Sequence, residues 1–370
     1  VAVVAAGVTL AVLQVSPAKT TRAAQATKPA AALRVLSITP AGGARGVDGT
    51  RPITVRFSAP VTAHTAKPVI TPSVSGTWSA AGDTLMFVPS TPFQPQTKVT
   101  VMVPGGRDGV RSAAGGLLAQ AVSTHFTTGG YTQLRLSELL AQLGYLPMTW
   151  TTHQLPQQRP PAGQALSSGG GLAGQEALAY DPPDGQFSWH YGYPSTLAGM
   201  WNPSQANVLL QGAVMAFDAQ HGLPIKADLT PKFWAALFNA AVNNQANRVG
   251  YTYALVQKGS PETLTLFHNG HVVLRSLTNT GISAAPTANG TFPVYSRFLQ
   301  TVMSGYNPDG SYYSDPVSFV SYFNGGDAVH YFPRGSYGFP QSLGCVELPY
   351  TQAQEAYPYL TYGSLVTVTG

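Results

Sequence analysis

Residues 328–349 read AVHYFPRGSYGFPQSLGCVELP, and this stretch decides how the C-terminal part of the chain is read. It contains Cys345, the single cysteine among 370 residues, and His330 fifteen positions before it. A lone thiol cannot pair within its own molecule and is open to oxidation outside the cell. It becomes a useful nucleophile when a nearby imidazole takes its proton or stabilises the thiolate. Gly344 permits a backbone turn that a β-carbon would hinder, exposing the sulfur and freeing amide N–H groups for an oxyanion. The intervening RGSYGFP is a glycine-containing loop long enough to return His330 to the cysteine. These residues alone leave a second reading open, a buried inert cysteine acting as a small hydrophobe.

Just upstream, GSYYSDPVSFVSYFNGGD (310–327) supplies aromatic residues for a groove beside the thiol, Tyr322 and Phe323 foremost. For any single one of them, core packing is the alternative. Asp315 and Asp327 lack a partner that would make a carboxylate pair for glycosidase chemistry. Further back, TYALVQ and TLTLFHNGHVVLRS alternate with period two, and Asn269-Gly270 between apolar runs signals a hairpin. His268 and His271 flank that turn. No further cysteine, histidine or carboxylate cluster joins them, so they are read as exposed hairpin residues rather than metal ligands.

Residues 131–247 read as helical. LRLSELLAQLG places Leu136, Leu139, Leu140 and Leu143 at helical spacing and Gly144 at the stop. NVLLQGAVMAFDAQHGL (207–223) gives a second helix with Val214 and Phe217 inward. Thr230-Pro231 is an N-cap followed by Pro at the first helical position, opening a third with Phe233, Trp234 and Leu237 on one side. Between the first two, residues 151–180 are expected to form a disordered insertion, being polar and rich in Gly and Pro.

From Leu33 to Thr128 short alternating runs recur between turns. Ile53, Val55 and Phe57 share a face, as do Val99, Val101 and Val103, which predicts a β-sandwich over 33–130. The first residues, VAVVAAGVTLAVLQV, carry no charge before Lys19, and Ala24-Gln25-Ala26 suits a cleavage site. Residues 1–32 are therefore expected to be a signal or membrane anchor followed by a linker, with export following from either.

Residues 1–130 carry 11 Lys+Arg against 3 Asp+Glu, and the remainder 9 against 12. A basic N-terminal part suits an anionic membrane or wall polymer, or serves solubility alone. No interleaving of aromatic and basic residues favours nucleic acid. With 44% hydrophobic residues, 39 Gly and 30 Pro, the chain is too apolar for disorder and rich in turns.

Three ordered motifs add a resemblance. APTANGTFPVYSR (285–297), AVHYF…YGFPQSLGCVELP and the closing YGSLVTVTG resemble the L,D-transpeptidase catalytic domain over 248–370. Val35–Val61 is similar to the opening of bacterial Ig-like domains. Asn207–Leu237 resembles the small peptidoglycan-binding helical module, which binds wall or docks to a neighbour. The fold implied is multidomain and mainly β, with an Ig-like sandwich, a small helical bundle at 131–247 and a β-rich transpeptidase domain.

The resemblance implies an exported enzyme on the cell-wall side, a monomer acting on peptidoglycan stem peptides without a cofactor or metal. Cys345 would attack the bond after the third residue of a donor stem, releasing the terminal D-alanine. A neighbouring stem's amine would then resolve the thioester as a 3→3 cross-link. It implies His330 as base and later proton donor, the Tyr331 carbonyl orienting its ring, and Gly344 and Cys345 amides as the oxyanion hole, with Ser342 in the same motif. Two positions depart from the family pattern. Leu343 stands where a second histidine precedes Gly-Cys, and Glu347 where Arg or Asn follows the cysteine by two. Glu347 would favour an amine-bearing acceptor or cap a local turn. Two rival readings share these motifs: an L,D-carboxypeptidase, in which water resolves the thioester, and a catalytically inactive wall-binding protein.

Overall fold

The computed structural model describes residues 1–2, 7, 30–153 and 171–370. Nearly all of the expected signal or anchor segment, and 154–170 of the expected insertion, lie outside the described residues. Among those described, no helix is long and apolar enough to cross a membrane.

The N-terminal part contains β1 (Val35–Thr39), β2 (Ile53–Phe57), β3 (Val69–Thr71), β4 (Gly76–Ala81), β5 (Thr84–Pro89), β6 (Lys98–Val103) and β7 (Val122–Thr127). They form two sheets, ordered β1-β2-β5-β4 and β3-β6-β7. Period-two alternation puts Val55, Phe57 and Leu85 from one sheet, and Val99, Val101 and Phe126 from the other, in the interior.

The middle part contains α1 (Gln133–Gln142), β8 (Met148–Thr152), α2 (Leu172–Tyr180), β9 (Gly185–Trp189), α3 (Ser195–Ala198), α4 (Val208–Gln220) and α5 (Pro231–Val242). Thr132, Asn207 and Thr230 cap α1, α4 and α5 by accepting from backbone N–H groups three residues on. The described parts of the expected insertion, residues 151–153 and 171–180, are not disordered. There α2 forms and buries Ala177 and Ala179, while β8 pairs antiparallel with β9. Small residues on α2 let it lie against α1 and α5, and this packing outweighs a weakly amphipathic sequence. The Tyr180 hydroxyl donates to the Phe93 carbonyl at 2.8 Å, tying α2 to the sandwich.

The C-terminal part contains β10 (Thr252–Gln257), β11 (Thr263–His268), β12 (His271–Leu277), β13 (Gly290–Pro293), β14 (Ser296–Tyr306), β15 (Tyr312–Asn324), β16 (Asp327–Tyr331), β17 (Val346–Leu348), α6 (Tyr350–Ala356) and β18 (Leu365–Thr369). A five-stranded sheet runs β12-β11-β10-β18-β13 and a four-stranded one β14-β15-β16-β17. Asn269 (φ 48°) and Gly270 (φ 81°) form the expected tight turn between β11 and β12.

Ala254, Val256, Leu264, Leu266, Val366 and Val368 on the five-stranded sheet share one core with Phe323, Val329, Val346 and Leu348. The alternate residues Tyr253 and Leu365 point the other way, into the core built by α1, α4 and α5. One sheet therefore serves two cores, and the helical part docks on the outer face of the C-terminal domain.

Candidate active site

β16 is an inner strand, paired antiparallel with β15 and parallel with β17. Parallel registry sets His330 opposite Glu347 and Val329 opposite Val346. Residues 328 and 330 point to one face of the sheet, as do 345 and 347 on the neighbouring chain segment. Cys345, immediately before β17, and His330 on β16 thus lie on the same face, two residues apart in the register. Both line a groove of about 990 Å³. β14 and β15 form one wall of it, through Met303, Tyr313 and Asp315 in their outer halves and Tyr322 beside β16.

His330 is 3% exposed. Its Nδ1 lies 2.9 Å from the Tyr331 carbonyl oxygen, which can only accept, so Nδ1 carries the proton. The other nitrogen, Nε2, is left as a base. Burial holds the imidazole below the ordinary histidine value, opposed by the hydrogen bond to Tyr331 and by Glu347. The ring is therefore neutral at physiological pH.

Cys345 follows Gly344, whose φ is +118°. Its Sγ lies 3.8 Å from the Gly326 carbonyl oxygen and 4.0 Å from Met303 Sδ, with a window to the groove. Burial pushes the thiol up to about 12, and the Asp327 and Glu347 carboxylates add to that, against a lowering contribution from the Ala328 backbone. The sequence left two roles open for the imidazole, taking the thiol's proton or stabilising a thiolate; a neutral thiol beside a neutral imidazole fits the first. The physical reason is that desolvation first, and two nearby carboxylates after it, penalise the anion.

The turn before the sulfur is stitched by Ser342. Its Oγ donates to the Cys345 carbonyl at 2.6 Å and accepts from the Gly344 N–H at 3.2 Å. Gly344 was expected to offer that N–H to an oxyanion, but in this conformation it is engaged by Ser342. Leu343 faces the groove in place of a second histidine.

Tyr322 and Phe323 separate, because consecutive residues of a strand face opposite ways. Tyr322 lines the groove, whereas Phe323 is 3% exposed and packs in the inter-sheet core, its ring 6.0 Å from that of Phe292. The expectation that Phe323 lines the groove is corrected accordingly.

Glu347 is 3% exposed and does not reach into open solvent. Its two carboxylate oxygens accept from Arg334 Nη2 at 2.7 Å and Nε at 2.8 Å. Asn279 adds a longer contact at 3.4 Å and exchanges backbone hydrogen bonds with Glu347 on both sides. Sequence reasoning passed over Arg334. The available signal was a buried-strand Glu with a single nearby cation in the loop that leads from His330 to the cysteine. Asp327, weighed only as half of a glycosidase pair, is in fact a neighbour of the thiol.

At the β11–β12 turn, His268 Nδ1 is 3.0 Å from Thr252 Oγ1, and His271 is exposed. Among the described residues, no group of three or more His, Cys, Asp and Glu is arranged to hold a metal ion.

Comparison with known proteins gives two family matches: residues 29–128 with the bacterial Ig-like domain, and residues 251–368 with the L,D-transpeptidase catalytic domain. Curated protein sequences gave no match. Among solved structures, an L,D-transpeptidase from Mycobacterium smegmatis is similar at 15% identity, covering 92% of this chain and 100% of that one, with a TM-score of 0.30. L,D-transpeptidase 3 from Mycobacterium tuberculosis is similar at 13% identity, over 91% and 98%, also at 0.30. The catalytic domain of the E. faecium L,D-transpeptidase is similar at 25% identity, over 32% of this chain and 96% of its own, again at 0.30. The chain carries a bacterial Ig-like domain towards its N-terminus and an L,D-transpeptidase catalytic domain at its C-terminal side.

Proposed function

We propose that the protein is an exported cysteine L,D-transpeptidase that forms 3→3 peptidoglycan cross-links through an acyl-enzyme on Cys345. The observation that carries this reading is the shared groove of Cys345 and His330, with the imidazole fixed by Tyr331 so that Nε2 is unprotonated. Because both groups are neutral at rest, the thiol proton moves to Nε2 as the sulfur attacks the donor carbonyl. The carbonyl C–N bond then breaks, the new C–S bond remains as a thioester, and His330 gives the proton to the departing amine. In the second half an acceptor amine attacks the thioester and loses a proton to His330. The C–S bond breaks and the sulfur recovers that proton.

The wall-side location follows from the substrate. The helical part serves as a docking element, its apolar face being occupied by the transpeptidase sheet.

Incubation with defined muropeptides followed by mass analysis tests the reading. A dimer lighter than two donors by one D-alanine is expected, and none with Cys345→Ala of unchanged melting temperature. Trimmed monomer without dimer would make the protein a carboxypeptidase. Neither product from the wild-type chain would leave a wall protein without this chemistry.

A further inference from the structure

The groove carries a guanidinium whose position relative to His330 gives it a task. Glu347 stands opposite His330 in the β16–β17 register, and its buried carboxylate takes both Nε and Nη2 of Arg334. Arg334 Nη2 also donates to the Gln341 carbonyl at 3.1 Å, and the guanidinium carbon sits 4.7 Å from the centroid of the Phe332 ring. Four constraints from three residues therefore fix a side chain that is otherwise among the most mobile. Among the described residues, Nη1 has no hydrogen-bond partner, and the 28%-exposed side chain lines the groove. Among the described lining residues it is the only permanent cation, in company with Asp309, Asp315, Asp327 and Glu347.

Direction follows from the proton. His330 must reach the departing amine, so the departing residue leaves on His330's side of Cys345. Arg334 is bonded to Glu347, the residue opposite His330 in the register, and so belongs to that side. A residue cut from the end of a peptide carries a free carboxylate, separated from the scissile nitrogen by its own α-carbon alone. Resting on the transpeptidase reading above, we propose that Arg334 is a specificity-determining residue whose Nη1 binds this terminal carboxylate, with Glu347 as its positioning partner. The pairing with Glu347 holds the fork pre-organised, while Nη1 keeps its N–H groups for a second anion. The enzyme thereby selects donor stems in which the scissile bond is the last one, since a longer stem presents an amide at that place.

The test uses the full chain carrying Cys345→Ala, titrated calorimetrically with a donor tetrapeptide ending in either a carboxylate or a carboxamide. The carboxylate peptide is expected to bind about 10- to 100-fold more tightly, the range of a hydrogen bond to a charged group. Adding Arg334→Gln should abolish the preference. Because that change strands Glu347 without a cation, Arg334→Gln with Glu347→Gln serves as a neutral pair that retains the fold. Equal binding of the two peptides, binding of neither, or a preference that survives the loss of Arg334 overturns the inference. Turnover of the same carboxylate peptide by the chain with Cys345 intact is scored separately. Absent turnover with an Arg334-dependent preference counts against the proposed reaction and for the carboxylate clamp.

Discussion

The Asp327 carboxylate occupies the space that a β-carbon on residue 344 would need. This packing of an acid on a glycine brings a half-buried negative charge to the residue preceding the nucleophile. Desolvation raises the pKa of Asp327, and its charge in turn raises that of Cys345.

Cys345 is accordingly expected to react slowly with iodoacetamide at pH 8, with a rate that climbs without levelling through pH 10. The thiolate is the reactive form, and burial with two carboxylates has pushed the thiol up to about 12. Asp327→Asn removes one of the opposing charges and should raise the alkylation rate at pH 8 roughly three- to tenfold. A plateau near the ordinary thiol value in the unaltered protein would sink this account.

Gly344→Ala faces two obstacles at once, a φ of +118° and the Asp327 oxygen. The strained backbone alone costs about 1–3 kcal/mol. The expected outcome is a lower melting temperature together with loss of turnover, because the turn that presents the sulfur shifts. Gly344→Ala combined with Asp327→Gly relieves only the contact, so its melting temperature should recover in part. Full recovery would show that φ contributes nothing.

Tyr322 and Phe323 should part company when truncated. Phe323→Ala opens a cavity in the inter-sheet core and is expected to cost about 3–5 kcal/mol, measured by denaturant unfolding. Tyr322→Ala should leave stability within about 1.5 kcal/mol and raise KM for the donor, since its ring borders the groove. Equal destabilisation by both would contradict the opposed orientations.

Features governed by local chemistry were readable from the chain. The Asn269-Gly270 turn needs two positive φ angles, and these two residue types tolerate them. Thr230-Pro231 announced α5 because capping and a fixed φ act within one turn. The sandwich strands declared themselves by alternation. What escaped depended on residues brought together by the fold. The Arg334–Glu347 pair joins a loop to a strand, and neither residue type marks the other at that spacing. Helix α2, LAGQEALAY, carries no strong apolar face, so only its neighbours make it a helix. The opposed directions of Tyr322 and Phe323 were implicit in the strand period, and applying that period would have separated them.

Tyr253 and Leu365 belong to the transpeptidase sheet yet are buried among helices from the preceding segment. A fragment starting at Arg248 would therefore present a greasy, water-facing flank where the intact chain has interior. It should aggregate, or bind hydrophobic dyes, although every residue of the reaction centre is included.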